Sequence, residues 1–587
     1  MKSIVFSNSY INSCEESVCI NFSGDDSLAV NDKNVIDLST IYNFVDDTYL
    51  LRFSEWLGNL NIKNADLFWW SHTSTAKNIL SSPLGDRFLQ VHAVCEIVRK
   101  TSATSINVIG ATPGMMESIV TLLNDEDLLV RGMSWRFRWL RRAIINGTSF
   151  LRIIFQCLSV FFGNCFAGNI EQGMNVDVCL FTYIDSKQRP ETDNYFGKLP
   201  EMYRNNDNNV SFAYLAYVYK PYRLRMKRAS QLRNTTPYVF LFGVLTVFDY
   251  LWGIFFSLRE LWVNTYKINY PYTSKDDDYR ALLREIFVHD LSYGGYFHNL
   301  LVNRAVRRFL DANHSSEILY PFENKSLEKM LVLAARSAKD CPKIIGYQHT
   351  SITPRHSTQF FVENEAGKTP LPDKIVTVGG VTKRYMEKHG NYPAGILVAG
   401  CALRQEWSSQ KAKKHREKED IRILLALSSS KKELEKSIEY MKYVKALLPD
   451  IELGIRPHPD FPLTLLPKEQ LEWIGQNAID FSGTVLSDNI DWCHLTAYVS
   501  STVALEALMR GKPVIKISIG DIISPDPVIG DVSFHWDAKD EADMVEILVY
   551  IKNMSDSEYI ASSNDSIEYV TDYLTPVSDR CLNELVC

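Results

Sequence analysis

The chain has 587 residues, of which 46% are hydrophobic and 12% aromatic, and a formal net charge of -7. That length exceeds one compact core and requires two or three domains, and the composition excludes the disordered, collagen-like and disulfide-scaffold classes. The acidic balance argues against a general nucleic-acid binder, and eleven cysteines with no CxxC pair and no Cys/His metal spacing point to a reduced, cytoplasmic chain.

The opening Met-Lys-Ser-Ile-Val-Phe-Ser-Asn lacks the apolar core and small-residue cleavage site of a secretory signal and reads as a first strand. Strand-like runs recur at 66–70, 105–110, 176–183, 317–320, 343–346 and 374–378, with helical stretches between them. This alternation predicts an α/β fold with a parallel, doubly wound sheet.

Two segments interrupt the series, at about 131–170 and 220–270. The first carries Arg136, Arg138, Arg141 and Arg142 among tryptophans and runs into an apolar stretch at 150–162. The second carries Arg223, Arg225, Lys227 and Arg228 and runs into an aromatic-rich stretch at 238–256. A basic, aromatic start followed by an apolar face is what an interfacial helix needs to lie on an anionic membrane, with those eight cations at the headgroups. The competing readings are a pair of buried core helices and a true span; Arg152 and Asp249 oppose the span.

Six loops bear candidate chemistry. Glu323 lies after a strand and before a helix, where a carboxylate serves as general base or nucleophile or simply caps the helix. Gln348 and His349 stand at the next strand end, His349 as a base or phosphate-stabilising group, with a backbone-satisfied loop histidine as the plainer option. Gly400 permits a tight bend, and Arg404 beyond it is placed to meet an anionic group on the acceptor side. The charged run 411–420 reads as an exposed connector and puts a boundary near residue 415.

A second strand series follows at 421–427, 451–455, 497–499 and 513–517. Ser428, Ser429 and Ser430 follow its first strand as phosphate contacts or N-caps. Arg456, Pro457, His458 and Pro459 end its second strand, because the prolines cannot continue a ladder. Ser500, Ser501 and Thr502 open a helix, so hydroxyls and unpaired N–H groups converge on one point, as in a phosphate cradle. Glu506, one turn on, is placed to accept from a ribose. The Asp46-Asp47 and Asp276–Asp278 runs lack the strand-loop-strand context of a nucleotide-metal site, so no metal and no other cofactor is expected.

The His-Pro pair at 458–459 together with the Ser-Ser-Thr turn resembles the GT-B glycosyltransferases of bacterial surface-polysaccharide synthesis. The likeness is strongest to enzymes that use CMP-activated acidic sugars, of the sialyltransferase and Kdo-transferase kind, and covers mainly residues 420–520. It implies two Rossmann-like domains with a cleft between them and nucleotide-holding roles for Arg456, His458, Pro459, Ser500, Ser501 and Thr502. The acidic-acidic-Gly motif that carries the catalytic base in such sialyltransferases has no convincing copy in the amino-terminal half; the catalytic candidates are Glu323 and His349, on their strand-end positions.

The resulting expectation is an acceptor domain at 1–415 with helical inserts, a donor domain at 416–560, and a C-terminal helix at 561–587 that crosses back to the first domain. The activity expected is metal-independent transfer of an acidic sugar of nonulosonic or Kdo type from a CMP donor to a glycan or lipid-linked glycan of capsule, O-antigen or lipopolysaccharide, at the inner membrane surface. The alternatives are a CDP-polyol phosphate transferase, a UDP-sugar transferase, an epimerase of the same plan and a non-catalytic membrane-bound scaffold. Neither the sugar nor the oligomeric state is legible.

Overall fold

Strand pairing forms four parallel sheets among the residues that the computed structural model describes, namely 2–5, 17–21, 35–37, 48–79, 82–101, 105–123, 128–131, 138–165, 175–184, 193–197, 199, 201, 210–218, 238–263, 267–272, 277–405, 421–428, 430–459, 461–519 and 524–585. β1 (Lys2–Val5), β2 (Ser17–Asn21), β3 (Val35–Asp37), β4 (Ser105–Ile109) and β5 (Leu128–Arg131) form two small sheets, β1-β5 and β3-β2-β4. The first large sheet contains β6 (Asn175–Ile184), β7 (Phe212–Val218), β8 (Tyr238–Phe240), β9 (His314–Pro321), β10 (Lys343–Gln348), β11 (Lys374–Thr377) and β12 (Leu397–Ala399), in the order β12-β11-β10-β9-β6-β7-β8. The second contains β13 (Arg422–Ala426), β14 (Glu452–Arg456), β15 (Ala478–Asp480), β16 (Leu495–Tyr498), β17 (Val514–Ile517) and β18 (His535–Ala538), in the order β15-β14-β13-β16-β17-β18.

Each large sheet starts in its interior, winds outward for two more strands, then returns to the other side of its first strand. That is the doubly wound dinucleotide-fold order, and it opens a crevice at the carboxyl ends of the two strands where the winding reverses. The crevice lies between β6 and β9 in the first sheet and between β13 and β16 in the second. The fold is therefore α/β, with two Rossmann-like sheets in the GT-B plan and helical inserts in the first half.

The strand-like runs at 176–183, 317–320, 343–346 and 374–378 all enter the first large sheet. Two others do not. Residues 105–109 belong to a small sheet, as does the N-terminal strand. Residues 66–70 lie in a helix, Leu67–Ser71, whose start is capped by Asp66 Oδ1 accepting from Trp69 N at 2.7 Å. A short apolar run has no periodicity that separates strand from buried helix, and the cap decides it.

Side chains alternate across both large sheets, as a pleat requires. In β13, Ile423 and Leu425 pack with Leu434, Ile438 and Met441 of the helix Lys431–Leu447, while Leu424 and Ala426 point the other way. Those two join Ile345 and Tyr347 of β10, Val376 of β11 and Leu319 of β9 in one buried cluster, so the two large sheets share a core. The C-terminal segment completes it with Val570, Tyr573, Leu574, Leu582 and Leu585.

Backbone bonds stitch that segment to the first sheet. Thr575 N donates to Val378 O at 2.9 Å, and Ala402 N donates to Thr575 O at 2.9 Å. The Tyr573 hydroxyl, fully buried, accepts from Ile352 N at 3.1 Å. Close approach is possible because residue 379 is glycine: a Cβ there would lie 2.3 Å from Asp572 O and 2.4 Å from Tyr573 O.

In the inserts, the apolar run 150–162 lies in the helix Arg138–Cys165, which packs against the helix Val247–Trp262. The run 238–256 is not one helix. It divides into β8, a 3-10 turn at Leu241–Val244 and the helix Val247–Trp262, because Asp249 caps that helix by accepting from Thr246 N and Oγ1, both at 2.8 Å. The same buried carboxylate pairs with Arg304 at 3.0 Å and Arg308 at 2.6 Å. Among the described residues no helix is long and apolar enough to cross a membrane.

Burial as core helices explains only half of each insert. Ile153 and Cys157 are buried on one helix, and Tyr250, Gly253 and Ser257 on the other. Leu151, Phe155, Leu158 and Phe162 face outward on the first, and Phe248, Leu251, Phe255 and Trp262 on the second, with Phe155 74% and Phe248 78% exposed. Arg138, Arg141 and Arg142 fall in the opening turns of the first helix, whereas Arg136, Arg223, Arg225, Lys227 and Arg228 lie outside the described residues.

Gly379→Ala is expected to lower stability by about 1–3 kcal/mol, since the new methyl meets backbone that cannot give. Gly475→Ala, inside the helix Lys468–Asn477 with nothing within 4 Å of its Cβ, is expected to raise stability by about 0.5 kcal/mol. Urea unfolding of the two variants checks the opposite signs.

Candidate active site

Glu323 lies in the turn that leaves β9, at the winding reversal of the first sheet. Asn324 makes the turn with a left-handed backbone, φ 57°, and its Nδ2 donates to Thr358 O at 2.5 Å. The following helix, Ser326–Arg336, is capped by Glu328, which accepts from Glu323 N at 2.8 Å and Lys325 N at 3.3 Å. Capping is thus done by Glu328, and the Glu323 carboxylate is left to face the loop after β10.

There it meets two cations or potential cations. Lys325 Nζ forms an ion pair with its Oε2, and His349 Nε2 lies 3.5 Å from its Oε1. Burial pushes the Glu323 carboxyl up, but the Lys325 ammonium beside it outweighs that and holds the group below its ordinary value. Burial pushes the Glu328 carboxyl, beside Glu323, up to about 8, and the neighbouring Lys329 ammonium down to about 7. The two neighbouring carboxyls are thereby shifted in opposite directions, Glu323 towards its ionised form and Glu328 towards its protonated one.

His349 is buried, with the Tyr195 ring edge-on at 4.8 Å between centroids. Burial pushes its imidazole down to about 4, against the pull of Glu323, so the ring is neutral at pH 7 and a weaker base than an ordinary histidine. Arg404 holds the loop: it donates to His349 O at 3.1 Å and to Asn194 O at 2.7 Å. Its guanidinium therefore positions backbone, where the sequence suggested an anionic partner. Gln348 donates to Thr350 O, and Gln348 Oε1 is buried without a hydrogen bond. His356, further along the loop, accepts at Nδ1 from Thr353 N at 2.9 Å.

On the second sheet, Ala426 of β13 is in register with both Arg456 of β14 and Tyr498 of β16. The loops at 428–430, 456–459 and 500–502 therefore leave neighbouring strand ends, roughly 5 Å apart. Within them, Ser430 N-caps the helix Lys431–Leu447, accepting from Glu433 N at 3.4 Å, and Ser428 Oγ accepts from Ser430 N at 3.3 Å. Ser429 lies outside the described residues. Ser500 Oγ donates to Glu433 Oε2 at 2.6 Å, Ser501 Oγ accepts from Val503 N at 3.4 Å, and Thr502 begins the helix Val503–Met509 without a side-chain cap.

Arg456 is tied to its own half, donating to Asn489 Oδ1 at 2.6 Å and Thr484 O at 3.0 Å. His458 and Pro459 form a half-exposed turn, closed by Phe461 N donating to His458 O at 3.0 Å. Burial pushes the Glu506 carboxyl up, with Arg510 and Arg456 acting against it. The two sets of loops meet directly, since Arg355 from the loop after β10 lies 3.6 Å from Glu433 Oε1.

Four groups at this site were not singled out from the sequence: Lys325, His356, Arg355 and Glu433. Ser430-x-x-Glu433 has capping-box spacing, which marks a helix start. The carboxylate instead reaches Ser500 and Arg355, which are remote in sequence. Among the described residues no cluster of three His, Cys, Asp or Glu is arranged to hold a metal. A separate cavity of about 610 Å³ lies in the N-terminal helical layer, between Trp56, His92 and Tyr279, away from both strand-end crevices.

No family model and no curated protein matches the chain. Solved structures with a related arrangement include the glycotransferase of kitacinnamycin, at 11% identity and TM-score 0.39, covering 70% of this chain and 98% of that one. A UDP-N-acetylglucosamine 2-epimerase shows 11% identity and TM-score 0.39 over 68% of this chain and 94% of its own. MurG of Acinetobacter baumannii shows 10% identity and TM-score 0.39 over 70% and 98%. At these scores none of the three carries an argument about activity.

A histidine ring signal that disappears in His349→Gln is expected to titrate near pH 4, not at the ordinary 6.5. Because the folded value lies below the unfolded one, this group's contribution to stability is present above pH 6.5 and is lost as pH falls towards 4. An NMR titration of histidine-labelled protein reads the midpoint directly.

Proposed function

We propose that this protein is a glycosyltransferase that moves a sugar from a nucleotide donor to a glycan acceptor. The observation that carries the reading is the meeting of two sets of strand ends: Glu323 emerges at the winding reversal of one sheet with His349 beside it on the next strand end, the Ser500–Thr502 turn emerges at the reversal of the other, and Arg355 lies 3.6 Å from Glu433 across them. In that arrangement the residues 416–560 hold the nucleotide, and the residues 1–415 present the acceptor.

The reaction follows from the groups in place. Neutral His349, or anionic Glu323, takes the proton of an acceptor hydroxyl as its oxygen bonds to the anomeric carbon. The anomeric carbon–phosphate oxygen bond breaks and the nucleotide departs with the electron pair. Its developing charge is met by N–H groups and hydroxyls of the Ser500–Thr502 turn and by His458, preorganised without an ion. Arg456 supports that edge through Thr484 and Asn489. We assign the donor as a CMP-activated acidic sugar, on the likeness of the His458-Pro459 and Ser500–Thr502 motifs to enzymes of that kind; a UDP-sugar fits the same crevice.

The outward apolar stripes of the two insert helices, with Arg138, Arg141 and Arg142 at the start of one, support docking on an anionic membrane where a lipid-linked surface glycan is elongated. Phe155→Glu with Phe248→Glu is expected to abolish flotation with anionic vesicles; recovery of the unmodified protein wholly in the soluble fraction overturns the membrane assignment.

A thermal-shift screen of CMP, CDP, UDP and GDP tests the donor, because a ligand of the native state raises apparent stability by mass action. The expected result is a shift with CMP that His458→Ala removes, an affinity loss of about tenfold or more. A shift with UDP alone replaces the donor and keeps the site; no shift with any of the four counts against the site.

A further inference from the structure

The cleft contains an anion position that is already filled by the protein itself. Glu433, in the first turn of the helix Lys431–Leu447, is buried, yet its carboxylate does not close a capping box. One oxygen accepts from the Ser500 hydroxyl at 2.6 Å, and the other lies 3.6 Å from Arg355 Nη1. Ser500 belongs to the turn that leaves β16 of the second sheet. Arg355 comes from the opposite side, on the same short loop as His349.

That loop is held from several directions. Tyr573 accepts from Ile352 N at 3.1 Å, Thr353 Oγ1 accepts from Arg355 N at 3.2 Å, and Thr353 N donates to His356 at 2.9 Å. The Arg355 backbone is thus fixed while its side chain spans to the second sheet. A hydroxyl donor and a guanidinium that converge on one carboxylate are equally suited to a phosphate, and guanidinium binds phosphate with two parallel donors.

We propose that Arg355 is a ligand of the donor nucleotide's phosphate, reaching across the cleft, and that Glu433 occupies its place until the nucleotide enters. This rests on the nucleotide-site reading above and adds the residue that couples donor binding to the acceptor side. When phosphate arrives, Arg355 and Ser500 exchange one anion for another, and Glu433 opposes the new charge. Binding the donor therefore pulls on the loop that also carries His349, with no new backbone bond required.

The test is calorimetry with CMP, CDP, UDP and GDP, each beside its phosphate-free nucleoside, on the full chain and on Arg355→Ala and Glu433→Gln. The expected result is a loss of about tenfold in affinity for the bound nucleotide in Arg355→Ala, the scale of one lost charge-assisted contact. Nucleoside affinity should not change, which separates a phosphate ligand from a merely structural residue. Glu433→Gln should bind the same nucleotide several-fold more tightly, since the competing charge is gone. If the unmodified chain binds a nucleotide and Arg355→Ala binds it equally well, or Glu433→Gln binds it more weakly, this inference fails and the nucleotide site stands. If no nucleotide binds the unmodified chain, both fail together.

Discussion

A single buried cluster under both large sheets fixes the geometry of the cleft. Leu319, Ile345 and Val376 reach it from the first sheet, Leu424, Ala426 and Val514 from the second, and Val570 and Tyr573 from the C-terminal segment. Because interiors pack at crystal-like density, the angle between the two sheets cannot drift without opening voids in that cluster. Backbone bonds at Thr575 and the Tyr573 hydroxyl extend the same constraint to the strand ends, where tenths of an ångström decide whether polar groups meet. The loop carrying His349 and Arg355 is therefore positioned by the last part of the chain.

The electrostatics of the site follow from where burial stops. His349 is buried enough to lose its charge, while Glu323 stays ionised because Lys325 is beside it. Burial and the neighbouring Glu323 push the fully enclosed Glu328 carboxyl the other way, up to about 8. Three groups within one turn and one loop are thus shifted in different directions. Such divergence between neighbouring titratable groups is what proton transfer at a reacting centre needs.

Much of this was legible in the sequence, and the reasons for the gaps are physical. Alternating strands and helices are local patterns, so the α/β class and the strands at 317–320, 343–346 and 374–378 could be read directly. Sheet membership is not local: nothing near residues 105–109 says that they pair with β2 and not with β9. The run 66–70 is too short to show a period. The division of 238–256 turns on the local Thr246–Asp249 capping box, which an aromatic, apolar run masks, and the same carboxylate is paired with Arg304 and Arg308, more than fifty residues away. Loop motifs located the strand-end residues well, since Ser, Gly, Pro and His in turns are local chemistry. Their partners were hidden for the same reason as the sheets: Glu433 reads as an ordinary helix-start acid until folding brings it to Ser500 and Arg355.

Hydrogen exchange with and without a donor nucleotide tests most directly the claim that the two crevices form one site. Slowed exchange is predicted together in the loops 349–356 and 498–506, which belong to different sheets. Protection confined to the N-terminal cavity around Trp56, His92 and Tyr279, or to one loop without the other, would contradict the account.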